Sequence, residues 1–506
     1  MAVKDRADVP DDDRWDLTGL YSDEMAWETE FAALETHCTP QLCLKGTLGD
    51  YSDNLAECLR QQDELNRILE QLSTYAARRS DEDTANTHCM GLLDRIRKEY
   101  VQISATLSWI RPEILAIQED TLNHFISTPV MEPHRRTMEL LLRDKPYSLS
   151  DKEERLLALA GEPLESSGRT FGVLNNADLR FPDVSDESGQ AVELTHGNYS
   201  VFLESNKREV RKQAFNAMFS TYDSLKNTLC STLSGSVNKH VFYAQARGHE
   251  SAIKASLHRD NVDISVYDSL IDAVHNALPI FHRYLSLRKR QLKLETLDMY
   301  DLYVPIVPDF SINVSFDEAF EWIVEAVAPL GTAYQDVLKR ALDERWIDRF
   351  ENRGKRSGAY SGGCYGSNPF ILMNYQNSIN SAFTLAHELG HSMHSYLSNL
   401  NQAHNQSQYT IFVAEVASTL NECLLFEYLM EKTDDPQFKA YLLNQKCEGF
   451  KGTVFRQTMF AEFEKTIYEM AEHGVPLTAD SLCDAYVGLN DLYYGKDVVP
   501  DPLIRM

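Results

Sequence analysis

The stretch AFTLAHELGHSMHS, residues 382–395, contains the pentapeptide His387-Glu388-Leu389-Gly390-His391 within a pattern of helical spacing. Residues four apart on an α-helix lie on the same face, so the two imidazoles can reach one Zn²⁺ at about 2.0–2.1 Å. Glu388 lies one step round the helix, where it is poorly placed as a ligand but can accept a proton from water at the metal. The pattern therefore predicts a zinc site with a neighbouring base. The alternative is two histidines and a glutamate on the solvent side of an ordinary helix.

The residues around the pentapeptide predict a buried helix. Ser378 or Asn380 is expected to cap its N-terminus. Gly390 costs about 1 kcal/mol relative to Ala in a helix, and we expect it to let a neighbouring backbone approach closely. Small and apolar residues recur at three- and four-residue steps and predict one packed face: Phe383, Ala386, Leu389, Gly390, Met393 and Leu397.

His394 lies on the same helical face as His387. We expect it to contact the histidine ligands without binding the metal itself. In metzincins, the residue three positions after the second histidine is a glycine, and a third histidine follows three positions later. This chain has His394 and Leu397 at those two positions. The sequence therefore excludes the metzincin class.

Two histidines leave zinc in need of a third protein ligand, and a glutamate on a following helix is the usual solution. Glu415 stands alone in the apolar run 411–420, and burying a lone carboxylate is costly unless it is paired or binds a metal. Glu422 lies two helical turns further on, where it could orient His387 or His391 through a hydrogen bond. Two alternatives stay open: Glu415 could form a salt bridge with a core cation, and Glu422 could be the ligand instead.

A glycine-rich segment precedes the metal helix. Five glycines fall within residues 354–366, and residues 370–375 then predict a short strand. An exposed strand edge beside the metal could hold an extended peptide by adding it as a further strand. The alternative is a flexible surface hairpin. The residues expected to bind substrate are Gly358, Tyr360, Tyr365, Leu372 and Asn374.

The sequence resembles oligoendopeptidase F. The resemblance spans essentially the whole chain and is carried by Arg14–Leu17, Ser357–Tyr360, Pro369–Tyr375, Thr384–Ser395, Phe412–Glu422 and Arg456–Phe460. That family, like thimet oligopeptidase, comprises zinc peptidases that cut short peptides inside a deep, mostly helical bowl. The resemblance implies that His387, His391 and Glu415 bind one Zn²⁺ per chain, that Glu388 is the general base, and that the substrates are oligopeptides.

The family also uses a histidine and tyrosines of a tyrosine-rich C-terminal segment to stabilise the tetrahedral intermediate. That segment is expected after Pro500–Met506, where this sequence ends. Zinc binding should be little affected by its absence. The resemblance therefore implies a metalloendopeptidase, and the alternative function is a zinc- and peptide-binding protein with little turnover. A purely structural zinc protein would need a fourth ligand, which the sequence does not offer.

Charge and cysteines exclude other classes of protein. The net charge is −27, from 49 basic and 76 acidic residues, which opposes binding to nucleic acid or to an anionic membrane because both need basic patches. Residues 1–15 lack the apolar region of a secretory signal, and no run approaches the ~20 apolar residues that span a bilayer. Nine cysteines without CxxC spacing fit reduced thiols. We therefore expect a cytoplasmic protein whose oligomeric state is not predicted.

Helical patterns dominate the chain and predict a mainly α fold with a small β-sheet beside the metal helix. Apolar residues between positions 55 and 72 recur on one helical face. Residues 179–184 and 191–195 read as a hairpin. This polar, helix-poor stretch predicts a boundary near residue 195, between an N-terminal helical region (1–195) and the metallopeptidase catalytic domain (196–506).

Overall fold

The computed structural model describes residues 4–307 and 312–505. Helices make up 71% of the structure, and the few sheets are small, so the predicted mainly α class is confirmed. None of the helices in these two ranges is both long enough and apolar enough to cross a membrane.

The chain forms two compact units, each built from two separate segments. Unit 1 comprises Met1–Pro146 and Ser311–Asp434, and unit 2 comprises Tyr147–Phe310 and Asp435–Met506. Met506, the last residue of the sequence, lies outside the described residues. The units alternate along the chain, whereas the boundary near residue 195 is a single division, and that boundary stays a prediction.

Unit 1 contains the helix of the pentapeptide. Numbered in chain order, its helices are α1 (Glu24–Leu42), α2 (Ser52–Glu82), α3 (Thr87–Thr106), α4 (Ile110–Ala116), α5 (Glu119–Ile126), α6 (Arg135–Asp144), α14 (Phe316–Ala326), α15 (Thr332–Asp343), α16 (Ile379–Asn401), α17 (His404–Ser407) and α18 (Ile411–Lys432). The predicted 55–72 helix is confirmed as part of α2, whose Leu55, Leu65 and Leu72 are buried in the core.

A three-stranded sheet in unit 1 lies against α16. Its strands are β4 (Ile347–Asp348), β5 (Tyr360–Gly362) and β6 (Phe370–Leu372), in the order β4-β6-β5. The central strand β6 runs parallel to β4 and antiparallel to β5. The strand predicted over 370–375 is confirmed in its first half, and β4 and β5 are the two edge strands of this sheet.

Unit 2 is also helical and holds the remaining elements. These are α7 (Asp151–Leu164), α8 (Ser166–Val173), α9 (Tyr199–Leu203), α10 (Arg208–Ser224), α11 (Lys226–Ala246), α12 (Ala252–His258), α13 (Ile264–Gln291), α19 (Pro436–Gly449), α20 (Arg456–Glu472), α21 (Ala479–Tyr494), and the strands β1 (Asp183–Ser185), β2 (Ala191–Glu193), β3 (Leu297–Asp298) and β7 (Val498–Val499). Antiparallel pairing of β1 with β2 confirms that a hairpin forms here. Its first strand begins at Asp183 rather than at residue 179, so the predicted bounds of that strand are wrong.

Candidate active site

Helix α16 presents the histidines of the pentapeptide. Ser378 caps its N-terminus by accepting a hydrogen bond from the Ser381 backbone, as predicted. Leu385, Ala386 and Leu389 are fully buried and fix the helix against the core. This packing leaves His387 and His391 half-buried on the remaining face.

Gly390 lets α18 cross α16 at close range. A Cβ atom at this position would lie 2.6 Å from the Ser418 Cα and 2.7 Å from the Ala417 carbonyl oxygen. Both are backbone atoms, so no side chain can move aside to make room. The predicted close backbone approach is confirmed, and it brings α18 beside the two histidines.

Glu415 of α18 completes a triangle of potential ligand atoms. Its Oε2 lies 3.3 Å from the Nε2 of His387 and 3.3 Å from the Nε2 of His391, and the two Nε2 atoms are 3.1 Å apart. Two ligands at about 2.05 Å from a tetrahedral Zn²⁺ are separated by about 3.3 Å. The three side chains therefore fit a zinc ion in both donor type and spacing.

Glu422 contacts the opposite nitrogen of the first histidine. Its Oε1 lies 2.6 Å from the Nδ1 of His387, and this hydrogen bond raises the pKa of the imidazole. A carboxylate on Nδ1 holds the ring in the tautomer whose Nε2 lone pair can bind a metal. Glu415 therefore lies beside the Nε2 atoms of both histidines, whereas Glu422 lies beside the Nδ1 atom of His387. The spacing of the two glutamates in the sequence had left open which of them is the candidate ligand.

The environment of Glu415 differs from the prediction. Its side chain is 58% exposed, although the apolar run around it predicted a buried carboxylate. The reason is that α18 turns Ser418 and Asn421 toward α16, where Ser418 donates to Glu415 and Asn421 donates to the Ala386 carbonyl. The large apolar residues of the run are consequently exposed: Ile411, Phe412, Val413, Val416 and Leu420.

Glu388 is the most buried of the acidic groups at this site. Burial raises the pKa of its carboxyl to about 7, and the backbone N–H of Ser361 in strand β5 donates to it. Ser361 also bonds through its hydroxyl to Ser392 of α16, at 2.8 Å. The sequence analysis missed Ser361, because this contact joins residues far apart in the chain and leaves no local pattern.

His394 lies beside the site without a bond to its ligands. The ring stacks on Tyr409 with centroids 3.7 Å apart, and burial lowers its pKa. Among the described residues it makes no hydrogen bond with His387 or His391. Its expected support of the ligands stays a prediction.

Three of the five residues expected to bind substrate have side chains that are buried or hydrogen-bonded to other parts of the protein. Leu372 is fully buried in the core, so its side chain is unavailable to a peptide. The Tyr360 hydroxyl donates to Asp81 and accepts from Arg78, both of α2. Tyr365 donates to the Gln402 carbonyl oxygen, away from the triangle.

Asn374, two residues after β6, is hydrogen-bonded to the loop before β5, which contains Gly358. The Asn374 amide donates to the carbonyl oxygens of Gly358 and Arg356. Gly358 has φ +85°, a conformation that favours glycine. These two residues shape the approach to the edge strand.

Known proteins resemble this chain along its length. The model of peptidase family M3 matches residues 201–506, and that of oligopeptidase F matches residues 113–181. Over 505 residues the chain is 46% identical to oligopeptidase PepF of Bacillus subtilis, covering 100% of this chain and 75% of that protein. It is 38% identical to group B oligopeptidase PepB of Streptococcus agalactiae, covering 97% and 82% of the two proteins.

Solved structures show the same fold. A structure from Chlamydophila abortus matches with a TM-score of 0.90 and 34% identity, covering 99% of this chain and 85% of that one. Oligoendopeptidase-F from Enterococcus faecium matches with a TM-score of 0.70 and 37% identity, covering 95% and 82%. The chain therefore belongs to peptidase family M3, a family of metallopeptidases, and it is a peptidase of the oligopeptidase F type that acts on oligopeptides.

Proposed function

We propose that this peptidase is a zinc-dependent endopeptidase in which His387, His391 and Glu415 bind one Zn²⁺. The observation that carries the proposal is the triangle of donor atoms, with sides of 3.1–3.3 Å. Two imidazoles and one carboxylate leave a fourth tetrahedral position open, which is typical of catalytic zinc sites. Zinc in such a site polarises a peptide carbonyl and lowers the pKa of water.

Glu388 is proposed as the general base. It would take the proton of the attacking water and deliver it to the leaving amine. The Ser361 N–H, which donates to the Glu388 carboxylate, would hold the carboxylate in one orientation during these transfers. Glu422 would keep the Nε2 of His387 free for the metal, because it already accepts from Nδ1.

The edge strand β5 is proposed to bind the peptide backbone. It pairs with β6 on one side only, so its other edge offers backbone donors and acceptors to an extended peptide. Because Ser361 lies in this strand, a peptide aligned on it would pass beside Glu388. None of the nine cysteines, which all lie in the described ranges, forms a disulfide, and this supports the further proposal that the enzyme works in the cytoplasm.

A cleavage assay tests the proposed function. Quenched fluorescent peptides with acetylated N-termini and amidated C-termini should be cut, because an endopeptidase needs no free terminus. Cleavage should stop on treatment with a chelator and return when Zn²⁺ is added. Undiminished cleavage by protein shown to be metal-free by elemental analysis would contradict the proposal.

A further inference from the structure

Strand β5 contacts a different helix on each of its two faces. Successive side chains of a strand point to opposite faces. Ser361 contacts α16, where its hydroxyl is hydrogen-bonded to Ser392 at 2.8 Å and its backbone N–H donates to Glu388. Tyr360 contacts α2, where its hydroxyl donates to Asp81 at 2.5 Å. The strand therefore connects the proposed base on α16 with a carboxylate of α2.

Arg78 of α2 lies against both ends of this three-residue strand. Its Nη1 donates to the Tyr360 hydroxyl at 2.6 Å and lies 3.4 Å from the Asp81 carboxylate, and its guanidinium carbon is 4.7 Å from the centre of the Tyr360 ring. At the other end, a Cβ atom on Gly362 would lie 2.8 Å from the Arg78 Nη2. We call Arg78, Asp81 and Tyr360 the β5 anchor.

Asp81 also holds the loop that leads into β5. The Arg356 backbone N–H donates to the Asp81 carbonyl oxygen at 3.0 Å, and the Arg356 guanidinium lies 3.4 Å from the Asp81 carboxylate. Helix α2 has 31 residues, and its Leu55, Leu65 and Leu72 are buried in the core of unit 1. The β5 anchor therefore attaches both the strand and the preceding loop to a long, well-packed helix.

Stability alone does not explain why α2 places two charged side chains against the strand. The Arg78 side chain is 13% exposed and the Asp81 side chain is 11% exposed, so both have lost most of their contact with water. Replacing a buried ion pair by well-packed apolar side chains is often neutral or stabilising. Hydrogen bonds to charged groups are short and strong, so the pair fixes the geometry of the strand that donates to the proposed base.

We propose that the β5 anchor positions the base of the peptidase reaction: by fixing the backbone of β5, it keeps the Ser361 N–H on the Glu388 carboxylate. This inference rests on the proposed function, because it takes Glu388 as the general base. The three residues of the anchor act through β5 and are positioning residues. Displacing a reacting group by about 1 Å can lower a rate by about 10²-fold, so weakening the anchor should lower kcat.

The test compares Tyr360→Phe, which removes one hydroxyl, with the matched control Tyr375→Phe. Tyr375 is a buried tyrosine of the same unit, and its hydroxyl donates to the Val314 carbonyl oxygen at 3.1 Å. The control therefore loses a buried hydrogen bond but leaves the β5 anchor intact. For each variant kcat and KM on a quenched peptide, zinc content and the midpoint of thermal unfolding are measured.

Tyr360→Phe should lower kcat by about 10–100-fold while zinc content stays unchanged. Tyr375→Phe should keep the kcat of the wild-type chain, even where its midpoint of unfolding falls as far as that of Tyr360→Phe. Wild-type kcat in Tyr360→Phe would overturn the proposal. An equal fall of kcat in both variants would also overturn it, because lost stability would then be the cause.

A double-mutant cycle shows whether the anchor acts through the base. Residues that act as a unit have non-additive effects on the rate. Tyr360→Phe should therefore lower the residual kcat of Glu388→Gln protein far less than it lowers the kcat of the wild-type chain. Equal factors in the two backgrounds would overturn the proposal, because the anchor would then act independently of Glu388.

Hydrogen exchange separates this inference from the proposed function. Tyr360→Phe should speed the exchange of the backbone amides of residues 360–362, because the strand opens more readily, and Tyr375→Phe should leave that exchange unchanged. If wild type cuts no peptide, the proposed function fails, but faster exchange in β5 still supports the anchor. Unchanged exchange in Tyr360→Phe overturns the anchor alone, whether or not peptides are cut.

Discussion

Two groups of histidines and carboxylates lie in unit 1, and they use the same residue types in different geometries. At the candidate active site, His387, His391 and Glu415 bring three donor atoms within 3.3 Å of one another. We call the second group the α2–α17 cluster: it consists of His134, His404, Asp63 and Glu70. There His404 lies 3.1 Å from Glu70 and 4.0 Å from Asp63, and His134 lies 3.5 Å from Asp63.

The difference comes from the backbone that carries each group. One rigid helix sets the separation of His387 and His391, whereas the α2–α17 cluster draws its members from α2, from α17 and from the turn before α6. Burial raises the pKa of Asp63 to about 6 and lowers the pKa of His134. Both shifts favour the neutral form of the side chain. Within the described ranges, the active-site group alone has three donors close enough for one ion. Residue type alone is therefore a poor guide to a metal site.

The largest effect is expected for Glu388→Gln. Glutamine keeps the shape of the side chain but cannot take a proton, so turnover should fall by about 10²–10⁴-fold while zinc stays bound. The measurement is kcat on a quenched peptide together with zinc content. Glu70→Gln, in the α2–α17 cluster, is the control and should leave turnover unchanged. Near-normal cleavage by Glu388→Gln would remove Glu388 from the mechanism.

A smaller effect is expected for Glu422→Gln. Losing the carboxylate on the Nδ1 of His387 should weaken zinc binding by about 10–100-fold, the usual range for residues that orient a ligand. Competition with a fluorescent chelator measures the affinity. Glu427→Gln changes an exposed residue of the same helix and should have no effect. Equal affinities for the two variants would show that Glu422 does not orient the ligand.

The smallest effect on the metal is expected for His404→Ala in the α2–α17 cluster. Zinc content and affinity should match those of the wild-type chain. The change removes the largely buried His404 ring, which packs against Tyr365 and bonds to Glu70, and truncating a buried side chain to alanine leaves a destabilising cavity. Thermal unfolding should therefore begin at a lower temperature. A drop in zinc content would show that the α2–α17 cluster holds metal after all.

The sequence was most informative where one helix determines the geometry. The spacing of His387 and His391 and the cap at Ser378 are properties of α16, and the structure bears them out. The close approach of α18 was also predictable, because Gly390 inside a helix is costly unless a neighbouring backbone needs the space. The strand at Phe370 and the hairpin before α9 were also predictable, since both depend on neighbouring residues.

Features that depend on how elements pack were not predictable. An apolar run predicts burial, yet α18 buries Ser418 and Asn421 instead. Asn421 donates to the Ala386 carbonyl oxygen of α16, and the backbone of Ser418 packs against Gly390 of the same helix. For the same reason, spacing could not decide between Glu415 and Glu422. Leu372 was expected to meet substrate, but its strand is the central one of the sheet and its side chain joins the core.

The most direct test of the account is the zinc content of Glu415→Ala compared with that of the wild-type chain. Elemental analysis after dialysis against dilute zinc should give about one Zn²⁺ per wild-type chain, the number that one site with three protein ligands holds. Glu415→Ala should retain little zinc, because only two of the three protein ligands remain. Full zinc content in Glu415→Ala, or loss of zinc in Glu422→Ala but not in Glu415→Ala, would contradict the assignment of His387, His391 and Glu415 as the metal ligands.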